Sequence, residues 1–125
     1  MWPRLEIYPR YEPNELPGLL TGVSVGVFPS RVESFGYGVL EMLAAAVPVI
    51  AYDAPGPHVM LPAEYRVPVG AVRELADLTA ALLIDPIQLL AARRAARERS
   101  RGFAWEDIVR RTAERYRAEL AHTRA

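Results

Sequence analysis

At 125 residues, 51% hydrophobic and 24% charged, the chain has room for one domain and enough apolar material for a core, which excludes wholesale disorder. Cysteine is absent, so disulfides, thiolate metal ligands and a cysteine nucleophile are excluded. The formal net charge is zero, yet all 15 basic residues are Arg, which excludes lysine chemistry; residues 1–85 hold five Arg against ten acids and residues 86–125 the reverse.

The absence of cysteine fits a reducing compartment, and the expected location is cytoplasmic. No apolar stretch approaches the roughly 18 residues of a membrane span. Pro3, Arg4 and Glu6 break up any signal-peptide core.

In chain order, Leu5 to Tyr8 alternates and suggests a partly exposed strand, and Asn14 to Leu20 suggests a short helix despite Pro17. Val23 to Phe28 and Val47 to Tyr52 are apolar at nearly every position. Strands covered on both faces have that pattern, so these two are expected in the middle of a parallel sheet. Gly38 to Ala46, rich in Leu, Met and Ala, predicts a helix between them and completes a βαβ unit. A short strand is expected near Tyr65 to Val69. From Val72 the spacing becomes helical, through Leu75, Ala76, Thr79, Leu82 and Leu83. Asp85-Pro86 supplies an N-cap carboxylate and a first-turn proline for a new helix, which Gly102 ends. The last helix carries Trp105, Ile108, Val109, Thr112, Tyr116 and Leu120 on one stripe. The expected fold class is α/β: a partial Rossmann-like parallel sheet with helices on both faces and a helical C-terminal tail. It is a single domain, with residues 1–70 as the α/β part and 71–125 as the helical part.

Ligands of open parallel sheets bind at the carboxyl ends of the strands. The loop after the first buried strand, Pro29 to Gly38, places Gly36 and Gly38 at a helix start, where free N–H groups attract anions. Gly-x-Gly alone equally describes a tight turn. Glu41 lies in an otherwise apolar segment assigned to the first helical turn, where a carboxylate needs donors; sugar hydroxyls would serve, and so would the helix's own N-terminus. Glu33, eight positions earlier, can reach the same crevice. Acid/base hydrolysis by the two carboxylates stays open at this level, because spacing does not give their separation. His58 and His122 are isolated and no metal site is expected; Asp53 is expected to be a turn residue.

The stretch from Phe28 to Asp53, FPSRVESFGYGVLEMLAAAVPVIAYD, resembles the donor-binding segment of the group 1 (family 4) glycosyltransferases. Ala54 to Pro57 resembles the loop that follows it, Glu15 to Leu20 the helix before it, and Phe103 to Trp105 with Tyr116 the closing helix. The resemblance implies the latter part of the C-terminal donor domain of a GT-B fold and a retaining, metal-independent transfer from a nucleotide sugar such as a UDP- or GDP-sugar. It implies that Glu33, the expected catalytic carboxylate, contacts donor hydroxyls. Backbone N–H groups of Ser34, Phe35, Gly36 and Tyr37 would meet sugar and diphosphate, and Glu41 would accept from the ribose. Arg10 and Tyr11 would lie near the base.

Two departures stand out. Ala46 and Ser34 occupy positions where the family usually or often has glycine, and Ala46 costs about 1 kcal/mol if the backbone there is left-handed. The chain also matches only part of such an enzyme. It is therefore expected to be a donor-binding fragment, inactive without an N-terminal acceptor domain, with the strand at Val23–Phe28 exposed as an edge that favours self-association. The alternatives are a folded, non-catalytic remnant or interaction module, and an Arg-rich helix (Arg93, Arg94, Arg97, Arg99, Arg101) for nucleic acid or an anionic membrane. That helix lacks interleaved aromatics, so a solvated face is expected and no nucleic acid; peripheral membrane contact stays open.

Overall fold

The structure is a computed structural model and describes residues 4–123. Three parallel strands, β1 (Gly26–Phe28), β2 (Val49–Tyr52) and β3 (Arg66–Val67), lie side by side in that order. Gly26 pairs with Val49 and Phe28 with Ala51, while Ala51 and Tyr52 pair with Arg66 and Val67. All four residues of β2 are buried. Its alternating side chains feed two cores, Val49 and Ala51 on one face and Ile50 and Tyr52 on the other. The pattern of β2 thus follows from cover on both faces, as its sequence implies.

Helix α1 (Leu16–Leu20) precedes the sheet, and α2 (Tyr37–Ala44) forms the expected crossover. Val39 and Leu43 of α2 pack with Met60 and Leu61 on the first face. Helix α4 (Val72–Ile84) covers the other with Leu75 and Leu82. Helix α5 (Pro86–Arg101) joins both cores, placing Ala92 in one and Ala96 in the other. The Oδ1 of Asp85 caps α5, accepting from the N–H of Ile87 at 3.1 Å and of Gln88 at 3.0 Å. Gly102 ends it.

Five features depart from the sequence reading. Residues 5 to 8 join no strand: their side chains alternate, but no neighbour supplies a ladder, and a lone strand cannot satisfy its backbone. Strand β1 begins only at Gly26, because the Val23 carbonyl is taken by Arg93 Nη1 at 3.1 Å rather than by a strand. Pro55–Met60, expected as loop, is helix α3. Its two prolines stand at first-turn positions whose N–H groups would have no helical acceptor. The arginine face of α5 is only partly solvated, since Arg93 and Arg99 donate to the carbonyls of Val23 and Met60 and lash the helix to the α/β layer. Helix α6 (Trp105–Thr123) buries none of its residues, so its apolar stripe stands open, with Trp105 72% exposed. Strand β1 is an edge of the sheet as expected, and Val27 on it is 45% exposed.

Candidate functional site at the carboxyl end of the sheet

The loop from Pro29 to Gly36 leaves β1 at its carboxyl end and enters α2. Gly36 is the N-cap, with φ +88° and ψ +58°, a left-handed conformation that strains any residue with a Cβ. A Cβ at Gly36 would stand 3.4 Å from Cγ of Glu33, so the half-buried stem of Glu33 folds over the start of α2. The N–H groups of Ser34, Phe35, Gly36, Tyr37 and Gly38 have no hydrogen-bond acceptor among the described residues. Five consecutive unpaired donors at a helix N-terminus form a surface suited to an anion.

Glu41 is the fifth residue of α2, not a first-turn residue, and it is exposed. Its sequence neighbours Leu40 and Met42 are apolar, but successive side chains diverge by about 100° around a helix and do not enclose it. It stands one turn beyond the exposed Tyr37, on the same face and about 6 Å along the axis. Among the described residues neither Glu33 nor Glu41 accepts a side-chain hydrogen bond or ion pair. The structure therefore brings Glu33, the free amides and Glu41 to the N-terminal half of α2. Arg10 and Tyr11 lie in an exposed N-terminal stretch. Arg31 rests its guanidinium over Gly70, linking the loop to the turn beyond β3.

Two supports were not legible from spacing. Gly56, in the first turn of α3, lies against the Phe35 backbone so closely that a Cβ would collide with the Phe35 carbonyl, and its N–H donates to the Glu33 carbonyl at 3.3 Å. Helix α3 is thereby fastened to the loop that carries Glu33. Asp53 is not merely a turn residue, nor is His58 isolated. Asp53 Oδ1 lies 2.5 Å from Arg66 Nη1 and 2.8 Å from His58 Nδ1. The Arg66 guanidinium, and secondarily His58, holds the Asp53 carboxyl below its ordinary pKa. Only the rule that strand ends converge at one edge of a parallel sheet could have signalled this grouping.

Among the described residues no single helix is long and apolar enough to cross a membrane, and no cluster of three or more potential metal ligands occurs.

Residues 2–101 match the family model for glycosyl transferases group 1. Over 113 residues the chain is 31% identical to a D-inositol 3-phosphate glycosyltransferase of Catenulispora acidiphila, covering 85% of this chain and 26% of that protein. Over 97 residues it is 34% identical to a 2-deoxystreptamine glucosyltransferase of Streptomyces kanamyceticus, covering 74% of this chain and 25% of the relative. The chain thus spans about a quarter of the length of these curated relatives. With its α/β architecture, its glycine-turned loop and a match over most of its length, the chain belongs to the group 1 glycosyltransferases.

Proposed function

We propose that this chain forms the donor half of a nucleotide-sugar site for retaining glycosyl transfer. The observation that carries the reading is the run of unpaired N–H groups from Ser34 to Gly38 between two unpartnered carboxylates, in a chain of this family. Glu33 accepts from hydroxyls of the donor sugar, and Glu41 accepts from the ribose. The amides of the loop hold the diphosphate. As the bond from the anomeric carbon to the diphosphate oxygen breaks, its electron pair leaves with the diphosphate, and the same amides stabilise the added charge. The acceptor oxygen bonds to the anomeric carbon on the face the diphosphate leaves, and its proton passes to the departing phosphate oxygen. Arg10 and Tyr11 lie toward the base. No metal enters this scheme.

Turnover requires a second, acceptor-binding domain, and the surface of the chain supports that requirement. The accessible area is 9424 Å², whereas a compact monomer of 13.9 kDa exposes about 6,700 Å². The open β1 edge and the bare stripe of α6 contribute to the excess. In the absence of such a domain, a second copy pairing along β1 is the expected substitute.

Calorimetric titration with UDP, GDP and their sugar conjugates tests the donor reading. One nucleotide is expected to bind, and Glu41→Gln to weaken it about tenfold, as for loss of one charged hydrogen bond. Binding of either nucleotide with no dependence on Glu41 would refute the assignment.

A further inference from the structure

Asp53, His58 and Arg66 come from three elements and meet at the carboxyl ends of β2 and β3. Arg66 is largely covered, with 14% of its side chain exposed, while His58 is 62% exposed. Arg66 Nη1 lies 2.5 Å from both Asp53 Oδ1 and His58 Nδ1. Asp53 Oδ1 and His58 Nδ1 are themselves 2.8 Å apart. Three polar atoms in one triangle cannot all be satisfied in both protonation states of the imidazole. With Nδ1 unprotonated, Nη1 donates one hydrogen to Asp53 and the other to His58. With the imidazole protonated, Nδ1–H donates to Asp53 and the guanidinium repels the ring. Arg66 therefore ties α3 to β3 in the first state and not in the second.

The tie matters because of what α3 holds two residues earlier. Gly56 donates its N–H to the Glu33 carbonyl and abuts the Phe35 backbone. A movement of α3 relative to β3 has no slack to absorb it at that contact. The groups facing His58 are Asp53 from the turn after β2 and Arg66 from β3; α3 carries no other titratable side chain. Val67, Pro68 and Val69, beyond Arg66, are uncharged and line the same groove. Glu64, in the short turn before β3, lines a separate cleft with Arg99, and Arg31 lies over Gly70.

We propose that Asp53, His58 and Arg66 form a positioning clamp that sets the height of the Glu33 loop over the sheet through α3, and that protonation of His58 loosens it. The functional meaning of the clamp rests on the donor-site reading above, but the mechanical coupling does not. His58 is a positioning residue and touches no donor atom in this scheme.

Amide NMR of the whole chain between about pH 5 and 8 tests it. The amides of Glu33, Phe35 and Gly56 are expected to shift with the midpoint of the His58 imidazole. That titration is expected to vanish in His58→Gln and to persist in His122→Gln, which alters the histidine on α6. His58 is exposed, so its variant keeps the core intact. Titration of His58 with no movement at these amides would overturn the clamp, as would movement unchanged in His58→Gln. In parallel, affinity for UDP-glucose or GDP-mannose is expected to fall about two- to fivefold as pH drops through that midpoint, the scale of a partly exposed charged contact. A flat affinity beside moving amides would refute the link to donor positioning. Absence of donor binding at every pH, with the amides still following His58, would refute the donor reading and leave the clamp standing.

Discussion

Helix α2, which carries Glu41, ends in a conformation that its sequence does not favour, and replacing one residue should reveal the cost. Ala46 has φ +58° and is the non-glycine residue with positive φ among those described. Its N–H donates to the Leu43 carbonyl at 3.0 Å, and the N–H of Val47 donates to the Met42 carbonyl at 2.9 Å. This pair of bonds is the Schellman closure, in which glycine normally takes the left-handed position. An L-residue there costs about 1–2 kcal/mol. Glycine would remove that cost but gains about 0.5–1 kcal/mol of freedom in the unfolded chain. Ala46→Gly should therefore stabilise the fold by about 0.5–1 kcal/mol, raising Tm by roughly 2–6 °C for a domain of this size. Urea and thermal unfolding followed by circular dichroism would measure it. Ala45→Gly is the control: its φ of −80° is ordinary, so glycine there should destabilise by about 0.5–1 kcal/mol. Equal effects at the two positions, or a loss at Ala46, would refute the left-handed cap.

Gly56→Ala should destabilise by about 1–3 kcal/mol, since its methyl must displace the Phe35 backbone; chemical denaturation measures it, together with a loss of donor affinity. Asp85→Ala removes the acceptor of two α5 N–H groups and should cost about 1 kcal/mol, whereas Asp85→Asn should cost less. The folded-state pKa of Asp53 is depressed by Arg66 and His58, so its contribution to stability is present above the unfolded value, about 3.9, and is lost as pH falls through the lower folded one. Unfolding measured from pH 5 downward should show a component below about pH 4 that Asp53→Asn abolishes.

The parts legible in the sequence were those fixed by local chemistry. Val47 to Tyr52 announces burial on both faces by having no polar position, and Asp85-Pro86 announces a helix start by capping it. The need for a left-handed residue at Ala46 was also readable, because helix ends demand it wherever they occur. What was missed depends on partners distant in sequence. Residues 5 to 8 alternate as a strand does, but pairing decides a strand and no pair is present. Glu41 seemed enclosed because its flanking residues are apolar, yet the helix turns them away. Pro55 and Pro57 suggested loop, though the first turn of a helix requires none of the N–H groups they lack. His58 stands five residues from Asp53 and eight from Arg66, and neither interval is a motif. Only the sheet, by bringing strand ends together, makes them neighbours.

The central claim is that the loop and first turns of α2 bind the donor. Amide NMR of the chain with and without UDP- and GDP-sugars tests it most directly. The account predicts donor-induced shifts concentrated from Glu33 to Glu41, saturating with one nucleotide and not the other. A dispersed spectrum that ignores every donor, or that responds only away from this segment, would contradict it.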